Sequence, residues 1–312
     1  MHEAERMLIS SPLGRLLLDK NITDITYNGE SLFYLSSIEG RCYYALYHKN
    51  DALNLIRQIA NVTNQLFTYQ NPVLDVVFSH FRLSAVHPLI GRDREENAVS
   101  FAIRIANVNP TLLVDNQTIT PEIEAILSRI IRTNKSIVIS GQTGVGKTEL
   151  QKYMIGLLDP HTRLVIIDQG IELALSKTLY PQLDITLWRY DERTVDGQMT
   201  NLIRTSLRFN PDYIIIAEAR GREIIDIYSA TLSGHPSIFT MHSESEKQLY
   251  ERMLAMTAYQ VPLSENDFSS VFPYVIHLDK KKVAGKIKRR IKTISHFEQE
   301  SGKIVYIYSD ET

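Results

Sequence analysis

Cysteine is nearly absent from this chain: Cys42 is the one thiol in 312 residues. A single cysteine excludes an intrachain disulfide framework and a four-cysteine zinc site, and it suits a reducing compartment. Long apolar runs are missing too. No stretch approaches the ~20 apolar residues of a membrane-spanning helix. The first residues include Glu3 and Glu5 rather than the basic start and apolar run of a secretory leader. The expectation is a cytosolic chain that touches a membrane only peripherally. An excess of charge of one sign is also lacking. The 34 Lys and Arg against 36 Asp and Glu leave a net charge of −2, so no global field directs the chain to nucleic acid. Apolar side chains are plentiful, and 44% hydrophobic content supports a packed core in a chain long enough for two ordinary domains.

Glycine is unremarkable in number but concentrated at one place. Gly141-Gln142-Thr143-Gly144-Val145-Gly146-Lys147-Thr148 fits the phosphate-binding pattern G-x-x-x-x-G-K-[ST]. Glycines permit the positive φ that lets the backbone curl around an anion. Successive N–H groups then face the phosphates at the positive end of the following helix. Lys147 is expected to reach the β- and γ-phosphates, and the Thr148 hydroxyl to bind Mg²⁺. The context agrees: 137–140 is a short apolar run that reads as a buried strand, and 148–158 has helical spacing through Leu150, Tyr153, Met154, Leu157 and Leu158.

The chain divides into an N-terminal α+β domain over 1–106, a linker over 107–119 and a C-terminal domain over 120–312. In the first, 22–47 is rich in Tyr, Ile, Leu and Phe, with hairpin turns at Asn28-Gly29 and Glu39-Gly40. Residues 52–67 read as a helix, 75–86 and 98–105 as strands, and 91–97 as a polar loop between them. Asn and Pro around 107–111 and polar residues at 115–118 mark the linker. The second domain opens with a helix capped by Thr120, with Pro121 at its first position and a buried stripe of Ile123, Ile126, Leu127, Ile130 and Ile131. Strands over 163–168, 213–217 and 237–241 then alternate with helices over 200–208 and 222–232. Ser243 and Glu246 suggest a capping box for a further helix through Thr257. Alternation of this kind predicts a doubly wound α/β sheet.

Ligands bind such sheets at the carboxyl ends of strands. Asp168-Gln169-Gly170-Ile171-Glu172 follows the strand at 163–168, and Glu218-Ala219-Arg220-Gly221 follows 213–217. His242 follows 237–241, with His235 just ahead of that strand. Phosphoryl transfer to water needs a metal-holding carboxylate, a group that orients the water and cations for the transition state. These residues supply all three kinds.

The ordered set of phosphate loop, acidic box, Asn210-Pro-Asp-Tyr-Ile-Ile-Ile-Ala-Glu218-Ala-Arg-Gly221 and Ser233-Gly-His235-Pro-Ser-Ile-Phe-Thr-Met-His242 resembles the ATPases of type II and type IV secretion systems. In the first domain Thr23-Asp-Ile-Thr-Tyr-Asn28, Arg82-Leu-Ser-Ala-Val and Phe101-Ala-Ile-Arg104 match the family's strands. The size, and the lack of zinc-binding cysteines, are most similar to the Tad-pilus and conjugative branch. The resemblance implies a RecA-like P-loop ATPase domain behind a smaller N-terminal domain, and a homo-hexameric ring that uses ATP and Mg²⁺. It further implies a motor peripheral to the inner face of the cell membrane that works with a polytopic membrane component and does not bind nucleic acid directly. It gives Glu218 the Walker B role on the metal side, with Thr148 and Asp168. Glu172 corresponds to the residue that orients the attacking water, and His235 and His242 to phosphate-sensing histidines. Arg189 and Arg193 correspond to arginines that reach a neighbour's nucleotide, and Arg104 to a first-domain arginine near the phosphates.

One departure bears on turnover. Gln169 stands where the family's acidic box usually has Asp, and an amide is not a charged metal ligand. One alternative to a hydrolysing motor is therefore an ATP-binding structural ring component; a separate reading is a small-molecule P-loop kinase, which would need an acceptor site and a lid that the first domain does not resemble. Near the end, Lys280, Lys281, Lys282, Lys286, Lys288, Arg289, Arg290 and Lys292 interleave with Val283, Ile287 and Ile291. That pattern reads as a hairpin turned near Ala284-Gly285 with one solvated basic face. The other readings are a contact with anionic lipid or an acidic partner, and DNA.

Overall fold

A computed structural model describes residues 2–94, 96–106, 118–170, 172–174, 176–191, 194–258, 262–283, 286–298, 301 and 303–310. Most of the expected linker, Arg193 and the turn at Ala284-Gly285 lie outside these residues. The chain forms two compact units. The first takes in Met1–Val108, Gly170–Glu172 and Lys282–Ile287, and the second takes in the rest.

The first unit runs α1 (His2–Ser10), α2 (Gly14–Leu17), β1 (Ile22–Tyr27), β2 (Ser31–Ser36), β3 (Gly40–Leu46), α3 (Lys49–Val62), β4 (Val73–Val77), β5 (Phe81–Val86), a small ribbon of β6 (Arg92–Asp93) and β7 (Glu96–Asn97), and β8 (Ser100–Ile105). Six strands pair in the order β3-β2-β1-β8-β5-β4, antiparallel throughout. Both expected hairpin turns are present. The run 75–86 is not one strand: Phe78 N–H donates to Phe81 O, closing a turn that splits it into β4 and β5. Asp75 then faces Ser84 across the pair and accepts from Arg82 and Ser84. The helix read at 52–67 starts three residues earlier, capped by His48, and ends at Val62. Its stripe of Ala52, Leu55, Ile56, Ile59 and Ala60 joins Leu8, Ile25, Leu83 and Ile103 in one core.

The second unit runs α4 (Pro121–Ile131), β9 (Ile137–Gly141), α5 (Lys147–Ile155), β10 (Arg163–Asp168), α6 (Ser176–Leu179), β11 (Asp184–Arg189), α7 (Met199–Ser206), β12 (Tyr213–Ile216), α8 (Glu223–Leu232), β13 (Ser237–Met241), α9 (Glu246–Thr257), α10 (Glu265–Val271), β14 (Tyr274–Val283), β15 (Lys286–Glu298) and β16 (Lys303–Ser309). The sheet order is β11-β10-β12-β13-β9-β14-β15-β16. The first six strands are parallel, and β15 and β16 pair antiparallel. Alternate residues of each central strand enter different cores. Ile137, Ile139, Leu164, Ile166 and Ile215 pack with α4 and α5. Val138, Val165, Ile167, Ile214 and Ile216 pack with α7, α8, α9 and α10. Helices on both faces explain why these strands are continuously apolar.

Thr120 caps α4 through Ile123 N–H, and all five stripe residues are buried. Thr118 and Ile119, the described end of the expected linker, are also buried. The cap of α9 is Ser245 rather than Ser243. The Glu246 carboxylate is instead buried, accepting from Thr293 and Ser295 of β15. No described helix is long and apolar enough to cross a membrane.

Candidate functional site

The second unit's sheet brings the carboxyl ends of β10, β12, β13 and β9 side by side. The loop at 141–146 leaves β9 with three glycines at positive φ: Gly141 at 143°, Gly144 at 76° and Gly146 at 99°. Gly146 is the N-cap of α5. A Cβ on Gly141 would stand 2.5 Å from Leu278 O, because β14 runs in register beside β9 and pairs Leu278 with Gly141. The cradle therefore requires glycine for space as well as for φ. Val145 is buried and anchors the loop from within, while Gln142, Thr143 and Gly144 are exposed at its tip. Behind it, the Gln151 amide donates to Ile216 O and Ile238 O, 2.9 Å each, and ties α5 to β12 and β13.

Lys147 is buried at the base of the loop. Its Nζ lies 2.9 Å from both Gly141 O and Gln142 O, and 3.0 Å from His242 Nδ1. An ammonium only donates, so Nδ1 is the acceptor and Nε2 carries the proton. That Nε2 faces Glu218 Oε1 at 3.1 Å, and Glu218 Oε2 accepts from Arg220 at 2.8 Å. Arg252 of α9 donates to His242 O at 3.0 Å. One chain of charge-assisted contacts thus runs Lys147, His242, Glu218, Arg220. Burial first, and then the Lys147 charge, push the His242 pKa below its ordinary value. Burial alone would raise the Glu218 carboxyl. The Arg220 hydrogen bond and charge, with His242 and Lys147, outweigh it and hold that carboxyl below the usual range. Neutral imidazole and ionised carboxylate are the consistent pair at neutral pH.

The loop opens on a cleft of about 1010 Å³ lined by Gln142, Thr143, His242, Ser243, Arg252 and Lys280 among others. That matches the upper end of roughly 300–1,000 Å³ for small-molecule sites. These residues fit a nucleotide with its metal. The glycine cradle and the start of α5 suit phosphate. Thr148, at the second position of α5, and Glu218 offer the oxygen donors that Mg²⁺ takes.

The other expected residues are distributed differently. Asp168 is buried, and its carboxylate accepts from Leu173 N–H at 3.1 Å, so it shapes the turn that follows β10. His235 does not join His242. It precedes β13 while His242 follows it, and seven residues at ~3.3 Å each separate the two by about 23 Å. Nearness in the chain does not bring the two together, because a strand carries its two ends to opposite ends of the sheet. Arg189 ends β11, an edge strand, and is exposed. Glu172 belongs to the first unit, where Arg104 Nε donates to its Oε1. Sequence reasoning passed over Arg220, Arg252, Lys280 and Arg289 as site residues. Arg220 had a signal in its spacing of two from Glu218. Lys280 and Arg289 were submerged in a basic alternation that reads as a solvated face.

The family described as "Type II/IV secretion system protein" matches residues 70–276. An uncharacterized protein of Bacillus anthracis is 30% identical over 279 residues, 85% of this chain and 60% of that protein. The type IV secretion system protein PtlH of Bordetella pertussis is 34% identical over 127 residues, 40% of this chain and 38% of PtlH. The chain thus spans well under two thirds of the length of these relatives. Among solved structures, the Legionella pneumophila ATPase DotB superposes with a TM-score of 0.68 at 20% identity, covering 96% of this chain and 82% of DotB. That likeness shows the same fold, a RecA-like ATPase domain with a smaller N-terminal domain. With two thirds of its length matched and the phosphate loop, Glu218 and His242 assembled at the carboxyl ends of adjacent strands, the chain belongs to the type II/IV secretion system ATPase family.

Proposed function

We propose that this chain binds ATP with Mg²⁺ at residues 141–148 and hydrolyses it, as a subunit of a hexameric ring on the cytoplasmic face of a membrane. Turnover there would power secretion, pilus assembly or conjugative transfer through a polytopic membrane partner. The contact chain from Lys147 through His242 and Glu218 to Arg220 carries the reading. Charges of both signs converge on the phosphate loop, where hydrolysis needs them.

In this reading the loop N–H groups and Lys147 hold the phosphates. Gly141 O, Gln142 O and His242 Nδ1 hold Lys147 at the base of the cradle until they share it with the nucleotide. Mg²⁺, when bound with the nucleotide, supplies neutralising charge on the phosphate oxygens, and Thr148 and Glu218 would hold it. His242 donates to Glu218 and keeps that carboxylate oriented and ionised. Glu172 orients the attacking water. Gln169 has no charge, so the metal-side carboxylates are Glu218 and Asp168, the second of which also accepts from Leu173 N–H in the turn after β10. Steady-state ATP hydrolysis tests the assignment. Lys147→Ala and Glu218→Gln each lower the rate at least 100-fold, on the order of one lost transition-state contact; Glu172→Gln does the same. A wild-type rate in any of the three removes that residue's role, and an inactive wild type that binds ATP tightly replaces the motor with a structural ring component.

A further inference from the structure

We propose that Lys280 and Arg289 are positioning residues of the phosphate loop, clamping its outer carbonyls so that its N–H groups face a bound phosphate. This deepens the nucleotide reading and rests on it. Lys280 Nζ donates to Thr143 O at 2.7 Å, and Arg289 Nε donates to Gly144 O at 3.1 Å. The two cations come from β14 and β15, and both lie beyond residue 276, where the family match ends. They meet the loop at consecutive peptide units, one from each strand.

A loop whose N–H groups converge on an anion must turn its carbonyls outward. Each carbonyl shares a rigid peptide plane with the next residue's N–H. Thr143 O is thereby coupled to the N–H of Gly144, and Gly144 O to the N–H of Val145. A cation at the oxygen draws electron density toward it and makes the N–H on the far side a stronger donor. The clamp also supplies conformational restraint where the chain has little of its own. Gly144 stands at φ 76°, and the position its Cβ would take is 3.4 Å from Lys280 Nζ. Glycine is the residue with most freedom to lose there, so two charge-assisted bonds on its flanks fix the curl before a ligand arrives. Arg289 contributes despite its own desolvation, which presses its pKa down. The basic hairpin is thus more than a solvated face: two of its side chains belong to the nucleotide site.

The test uses the full-length chain and two probes, ATP and inorganic tripolyphosphate. Variants are Lys280→Met, Arg289→Met and the conservative Lys280→Arg, with Lys147→Ala as the reference for a lost phosphate contact. The expected result is about a tenfold weaker affinity for both probes in each Met variant, as one charged hydrogen bond is worth. KM for ATP rises by the same factor with kcat little changed, the melting temperature without ligand stays at the wild-type value, and Lys280→Arg restores binding. Wild-type affinity in both Met variants overturns the clamp. So does a loss that follows a lowered ligand-free melting temperature and is not restored by Lys280→Arg, since that marks the hairpin as structural support only. A wild-type protein that binds neither probe overturns the nucleotide reading itself, and the clamp with it.

Discussion

His242 is held between a cation and an anion, and this sets a pH dependence at the scale of one residue. The groups that face it are Lys147 from α5, Glu218 and Arg220 from the end of β12, and Arg252 from α9. Burial first and Lys147 second depress its pKa below 6.5. On acidification the unfolded chain therefore takes up this proton before the folded chain does. The stabilisation is complete above 6.5 and is lost as pH falls through the lower folded value. His277, bonded to Ser140 just ahead of the loop and depressed mainly by burial, acts in the same direction. Thermal unfolding followed from about pH 7 to about pH 5 should show a decline that His242→Gln partly flattens. An identical decline in that variant would mean that His242 does not titrate as its contacts require. Gly141 gives a second prediction at this scale. With φ at 143° and Leu278 O 2.5 Å from the Cβ position, Gly141→Ala must displace the backbone of β14. The expected cost is roughly 1–3 kcal/mol, read as a lower urea midpoint, together with loss of nucleotide binding. Full stability with intact binding would show that the loop has room the geometry denies.

At the scale of elements, α5 is aimed by one buried amide. Gln151 is 0% exposed and donates to the carbonyls of Ile216 and Ile238, so the start of α5 is fixed against the two strands that deliver Glu218 and His242. Gln151→Leu keeps the volume and removes both bonds. It should lower stability by about 1–3 kcal/mol and shift the urea midpoint without changing the slope; an unchanged midpoint would leave the carbonyls satisfied by the sheet alone. Gln151 also shows why part of this architecture was hidden in the sequence. Elements buried on two faces, such as 163–168 and 213–217, announce themselves as apolar runs, and α4 declares itself through Thr120, Pro121 and its stripe. A single polar residue within a helix announces nothing. The edge strand β11 went unread because Asp184 and Arg189 at its ends are exposed, as is Leu187, and only Ile185 of its six residues is buried. The cap of α9 was misplaced by two residues because Glu246, the expected capping partner, is engaged by Thr293 and Ser295, some fifty positions away. Local rules read local contacts well and long-range polar contacts not at all. For the same reason Lys147, Glu218 and His242 were legible as motif residues, whereas Lys280 and Arg289 were not.

At the scale of the whole molecule, the sheet order decides which arginine could serve which nucleotide. Arg189 ends β11, the outermost strand on one side, and the phosphate loop follows β9. Three strands stand between them, so four interstrand spacings of ~4.8 Å place the two strands about 19 Å apart. Arg189 is exposed and points the question outward: at that separation it does not serve the loop of its own chain, and a catalytic role requires a second copy. Mixing experiments separate the possibilities. Arg189→Ala and Lys147→Ala subunits, each inactive for ATP hydrolysis alone, should regain activity when mixed, because some sites then combine an intact Lys147 from one subunit with an intact Arg189 from its neighbour. The recovered rate should depend on the mixing ratio, with its maximum near equal amounts, and should vanish when both substitutions are placed in the same chain and mixed with neither parent. No recovery from an assembled mixture would remove Arg189 from the reaction and confine each active site to the residues of one chain.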